Sequence, residues 1–198
     1  MYVIGLTGGS GAGKTTAAKI LENHNCYIID CDKISHEITE PGTSAYFEIL
    51  GCFDEIILNT DGKINRRALG NIVFNDKEAL KCLENITHRA IKEEVYKRLK
   101  DAKVRDYDLI VIDAPLLIES GLYKAVDKIW LIYADYETRL KRIAERDGLE
   151  KEAVKSRFRS QSEFDELVKY ADEIIDTTSL SFEDMEERIL LLKESLYA

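Results

Sequence analysis

Residues 8–15 read Gly8-Gly9-Ser10-Gly11-Ala12-Gly13-Lys14-Thr15, directly after the apolar run 2–6 (YVIGL) and directly before a helical pattern over 15–23. The spacing is G-x-x-x-x-G-K-[ST] in the strand–loop–helix context that the pattern requires. Holding phosphate takes backbone N–H groups that converge on anionic oxygens, and glycine lets a chain wrap that tightly. The positive end of the following helix adds to the attraction. In such a loop Gly8, Gly9, Gly11, Ala12, Gly13, Lys14, Thr15 and Thr16 line the nucleotide phosphates, Lys14 reaches the β- and γ-phosphates, and the Thr15 hydroxyl ligates Mg²⁺. The competing account is a glycine-rich turn in which Lys-Thr falls by chance, and the flanking strand and helix patterns weigh against it.

Outward from this loop, strand-like and helix-like segments alternate. Residues 2–6, 27–30 (YIID), 109–113 (LIVID) and 129–133 (IWLIY) are short runs rich in β-branched and aromatic residues, and 173–176 (EIID) is a weaker fifth. Runs apolar on both faces suit parallel strands covered by helices on either side, so the fold class is α/β. Helices are expected over about 15–23, 136–147, 151–161 and 182–196, with Asp135 and Ser181 as N-caps. Residues 33–106 exceed any crossover helix. They read as helical almost throughout, with turn signals at Pro41-Gly42 and Asp61-Gly62, a cap at Asn65 and one long amphipathic stretch from Asp76 to about Arg105. This is an insertion large enough for a substrate subdomain. The chain reads as one domain over 1–198, its core at about 1–32, 107–135 and 171–198.

Two acidic positions follow from ligand placement beyond the carboxyl ends of strands. Asp113 ends the run 109–113, as a second Mg²⁺-side carboxylate would. Asp30-Cys31-Asp32 closes the second strand; in extended chain the two carboxylates point the same way, and Asp32 suits a base that positions an acceptor hydroxyl. Equally, Asp32 could only cap a helix starting at Lys33. Arg139, Arg142 and Arg146 recur on one helix face, followed by Arg157 and Arg159. Arginine matches the charge on a transferring phosphoryl group, which makes Arg142 a catalytic candidate and Arg146 an ATP contact. A solvated face paired with Glu145, Asp147 and Glu150 competes.

The 198 residues are 45% apolar and 33% charged, with 28 Lys plus Arg against 37 Asp plus Glu, a net charge of −9. Such a surface repels the nucleic-acid backbone and anionic membrane but leaves room for a small anionic substrate in a local basic pocket. Cys26, Cys31, Cys52 and Cys82 contain no Cys-x-x-Cys pair. Scattered thiols in a reducing cytoplasm are expected, without a disulfide framework. The three histidines show no metal-ligand spacing. No apolar run approaches the ~20 residues that span a bilayer. Oligomeric state is not legible.

With these blocks in hand, the sequence resembles the dephospho-CoA kinase family. The resemblance runs through IGLTGGSGAGKTT, IIDCDKISHEI, PGTSAYFEILGCF, DGKINRRALGNIVFND, LENITHRAI, IDAPLLIE, RLKRIAERDGL, RFRSQ and YADEIIDTTSL. It implies a five-stranded parallel sheet, transfer of the γ-phosphoryl of MgATP to the ribose 3′-hydroxyl of dephospho-CoA, Asp32 as base, a coenzyme A subdomain over 33–106 and a lid over 136–170. It also implies substrate contacts at His88, Arg89, Leu117 and Glu119. The alternatives are another P-loop small-molecule or nucleoside monophosphate kinase and, further off, a nucleotide-dependent switch; no Asn-Lys-x-Asp guanine-reading segment is present. Three positions depart from the family pattern: Arg89 stands where proline is usual, His36 where arginine is common, and Thr177 where asparagine is frequent.

Overall fold

Strand burial follows from residue parity. In the computed structural model, which describes residues 1–105, 107–148 and 164–198, the strands are β1 (Tyr2–Gly8), β2 (Cys26–Asp30), β3 (Leu109–Asp113), β4 (Lys128–Tyr133) and β5 (Glu173–Asp176). Every residue of β3 is buried. Alternate residues point to opposite faces. Leu109, Val111, Trp130 and Ile132 join one core with Ile20, Leu21, Met185 and Ile189, and the other parity, Ile110, Ile112, Ile129 and Leu131, is buried as well. Helix-covered faces on both sides explain why these runs carry no polar alternation. The order is β2-β3-β1-β4-β5, with β1 parallel to β3 and β4, and β4 parallel to β5. This is the five-stranded sheet the sequence implies.

The helices are α1 (Lys14–Asn23), α2 (Cys31–Glu37), α3 (Ser44–Phe53), α4 (Arg66–Asn75), α5 (Lys77–Ala102), α6 (Tyr136–Asp147), α7 (Phe164–Val168) and α8 (Phe182–Ser195). Their openings follow local side-chain chemistry. Asp135 accepts from Thr138 N at 2.7 Å, Asn65 from the amides of Arg67 and Ala68, and Asp76 from those of Glu78 and Ala79. Ser181 forms a capping box with Asp184. Ser181→Ala removes an acceptor for the Asp184 amide, and about 1 kcal/mol of stability is expected to go with it. In a chain of this size that lowers the thermal midpoint by about 2–4 °C, measured by calorimetry.

The backbone divides into two compact units, Met1–Ile29 with Asp101–Ala198, and Asp30–Lys100. In the second, Ile49, Phe53, Ile57, Leu69, Val73 and Ile86 form a separate core. It is not helical throughout, because Leu58 and Ile64 bridge antiparallel across the Asp61-Gly62 turn, where Gly62 takes φ +78°. Cysteine pairing corrects the sequence reading. Cys26 and Cys31 are buried, whereas Cys52 on α3 and Cys82 on α5 form a disulfide, their Cα atoms 7.2 Å apart. The two cysteines lie 30 positions apart, so only the packing of α3 on α5 reveals the pair. The expected helix over 151–161, with Arg157 and Arg159, lies outside the described residues.

Candidate active site

At the end of β1 the chain turns through Gly8, Gly11 and Gly13, all at positive φ. Gly13, at φ +101°, is the N-cap of α1 and gives it no side-chain acceptor, and the first turn of α1 holds no acid. The openings of α2, α3, α4, α5, α6 and α8 all have a side-chain oxygen on a first-turn amide. Helix starts leave amides without intrahelical partners. At α1 the sequence supplies none of the usual caps, and an uncapped helix start is a geometry that suits an anion.

Lys14, in the first turn of α1, forms an ion pair with Asp113 at the carboxyl end of β3. Asp113 is 7% exposed. The β3 end is held in register by Ala114 N donating to Leu6 O at 3.0 Å and by the Thr7 hydroxyl donating to Pro115 O at 3.3 Å. Thr15 follows Lys14 in the same turn of α1 and is exposed. A hydroxyl and a carboxylate are hard oxygen donors, of the kind that suits a divalent ion keeping most of its shell as water and phosphate. Among the described residues no cluster of three or more His, Cys, Asp or Glu could cage a metal by itself.

The arginine face of α6 splits by position along the helix. Arg139 donates Nε–H to Ser10 O at 2.9 Å, and a Cβ built on Gly9 would sit 2.6–3.1 Å from its guanidinium, so the guanidinium occupies the space a side chain at Gly9 would need. Burial there lowers the Arg139 pKa from its ordinary value. Arg142 reaches Gly11 O at 3.4 Å, the Thr177 hydroxyl at 2.9 Å and Thr177 O at 2.7 Å. Arg146 does not join them. It forms a two-point pair with Asp147 at 2.7 and 3.2 Å, the arrangement of the solvated-face account.

Other expectations change with the geometry. Asp30, not Asp32, caps α2, accepting from Lys33 N at 2.9 Å, and α2 starts at Cys31 rather than Lys33. Asp32 therefore stands in a helical first turn, exposed, and the extended-chain reason for pairing it with Asp30 falls away; residues two apart on a helix do not share a face. Leu117 is fully buried, and a Cβ on Gly5 would meet its Cδ2 at 2.5 Å, so it packs beneath β1 and has no surface for a substrate. Glu119 is exposed on the turn after β3, and on α2 His36 is exposed. On α5 His88 is half-buried, while Arg89 pairs with Glu48 of α3, each holding the other charged. Thr177 is the site residue whose contacts were missed.

Phosphate loop, strand-end carboxylate and arginines on the helix after β4 define a P-loop phosphotransferase of the nucleotide-kinase kind. A family model described as dephospho-CoA kinase matches residues 2–182, and the chain belongs to that family. Membership carries phosphorylation of dephospho-CoA, the last step of coenzyme A synthesis. A dephospho-CoA kinase of Geobacter metallireducens is 42% identical over 196 residues, 99% of this chain and 98% of its own. One of Carboxydothermus hydrogenoformans is 40% identical over 190 residues, 96% of this chain and 92% of its own. Among solved structures, a Thermus thermophilus protein superposes with TM-score 0.83 at 30% identity, covering 98% of this chain and 97% of that one. The dephospho-CoA kinase of Campylobacter jejuni gives 0.70 at 34%, covering 98% and 96%. Shikimate kinase of Acinetobacter baumannii, at 19% identity, TM-score 0.53 and coverage of 99% and 94%, shares the fold alone.

Proposed function

We propose that this chain binds ATP at the loop of residues 8–16 and passes its γ-phosphoryl group to the ribose 3′-hydroxyl of dephospho-CoA, with Asp32 as base. The uncapped, acid-free start of α1 behind three glycines at positive φ carries this reading, since it leaves helix amides for phosphate oxygens. Loop amides and Lys14 would hold the β- and γ-phosphates, and the α6 arginines would face the charge that builds on the transferring group. The bond from the γ-phosphorus to the bridging oxygen breaks, a bond to the 3′-oxygen forms, and the hydroxyl proton goes to the Asp32 carboxylate. Thr15 and Asp113 would hold Mg²⁺, which when bound neutralises charge on the phosphate oxygens. The protein's own part is mostly positioning.

His88, Arg89 and Glu119 stay candidates for the acceptor's recognition. Arg89 would first have to leave Glu48. The net charge of −9 weighs against nucleic acid as a partner and leaves a small anion to a local basic pocket, and no helix among the described residues is long and apolar enough to cross a membrane. ADP release is to be measured with dephospho-CoA, AMP, shikimate and no acceptor. Release that depends on dephospho-CoA is expected. Turnover with AMP or shikimate alone would assign another small-molecule kinase, and equal release without any acceptor would assign a nucleotide switch.

A further inference from the structure

Beyond β5 the chain passes through Thr177, 2% exposed, whose amide donates to Tyr133 O at 2.8 Å and so extends the β4–β5 ladder. A threonine hydroxyl has one proton and two lone pairs. Here the proton goes to Ala12 O at 2.7 Å, and a lone pair accepts from Arg142 Nη1 at 2.9 Å. Arg142 Nη2 meanwhile donates to Thr177 O at 2.7 Å. One buried side chain joins three segments: the end of β5, the loop between Gly11 and Gly13, and the arginine face of α6. It lies directly under the loop, since a Cβ on Gly13 would be 3.5 Å from its Oγ1. With the longer Nη1 contact to Gly11 O at 3.4 Å, these contacts occupy three of the five guanidinium donors of Arg142 and fix the direction of the rest.

We infer that Thr177 is a positioning residue for ATP: its hydroxyl sets the Arg142 guanidinium in register with the loop carbonyls, so that loop shape and arginine direction are fixed together. A flexible arginine would have to be ordered at each binding event; one held in advance loses less freedom when the nucleotide arrives. The inference rests on the loop being an ATP site.

The test is a double-mutant cycle on the full chain, read as ATP affinity by titration calorimetry and as kcat and KM for each substrate. Thr177→Val keeps the shape and removes the hydroxyl. It is expected to weaken ATP binding about tenfold, the size of one lost charge-assisted hydrogen bond, with the acceptor KM within about twofold. Thr177→Ser should recover most of the affinity. In an Arg142→Ala background Thr177→Val should add less than about twofold, because the group it orients is gone. Undiminished ATP affinity in Thr177→Val, or independent multiplication of the two effects, overturns the inference. So does a change confined to thermal midpoint. If Thr177→Val does not fold, Thr177→Ala takes its place in the cycle, and an Arg142→Ala protein that binds ATP normally overturns the inference without it. Wild-type protein that fails to bind ATP at millimolar concentration removes the loop reading instead, a separate result.

Discussion

Asp32→Asn is expected to lower phosphoryl transfer to dephospho-CoA by about 10²–10⁴-fold, the range for loss of a general base, while ATP affinity and the thermal midpoint stay where they are. The separation between chemistry and stability is what the structure adds. Asp30 alone caps α2, through Lys33 N at 2.9 Å, and Asp32 is exposed in the same turn. Asp30→Ala should therefore show the reverse pattern, a loss of about 1 kcal/mol from the missing cap, with transfer reduced far less. Steady-state kinetics beside calorimetry on the two variants decide between base and cap. Near-normal turnover in Asp32→Asn would remove Asp32 from the chemistry, and a lowered midpoint in that variant would return it to a structural role.

Lys14→Met carries a second large effect with two distinguishable parts. Loss of a cation on the transferring phosphoryl group is expected to cost about 10²–10³-fold in kcat. The same change leaves Asp113, 7% exposed, without the ammonium it pairs with. Removing one partner of a buried pair costs about 3–5 kcal/mol, because the remaining charge stays out of water. Lys14→Met with Asp113→Asn removes that charge too. The double variant should regain most of the lost midpoint and none of the lost turnover. A double variant as unstable as the single one would show that the ion pair is not what holds Asp113, and full activity in Lys14→Met would overturn the loop's role.

Much of the sheet could be read from residue type, because β1, β3 and β4 are buried on both faces and carry uninterrupted apolar runs. Their order in space could not, since parallel strands are joined by long crossovers that leave no local mark. The loop was legible for the opposite reason: its chemistry is contained within eight consecutive residues. Asp30-Cys31-Asp32 shows where local pattern stops helping. The same three letters serve an extended end or a helix start, and a shift of two residues in where α2 begins decides which carboxylate is the cap. Helical spacing put Arg139, Arg142 and Arg146 on one face correctly, but at 1.5 Å per residue the last stands about 10 Å along the axis from the first, beyond the loop and next to Asp147. Leu117 was placed at the substrate by resemblance, whereas its apolar side chain closes the space left by Gly5. Thr177 touches Ala12 across a sequence separation of 165 and Arg142 across 35, and no window of sequence joins such distant positions.

Gly9 occupies one of the letters that the nucleotide-loop pattern leaves free, yet its missing side chain is the space into which Arg139 settles, with a built Cβ only 2.6 Å from Nη2. The obstruction would be the tip of a long side chain rather than backbone, so an alanine there need not break the turn; it would evict the arginine. Substitution at a site the motif treats as neutral would thus act as a remote control on a cation that belongs to another helix. Drift at this position and adjustment of the arginine's resting place become the same evolutionary event.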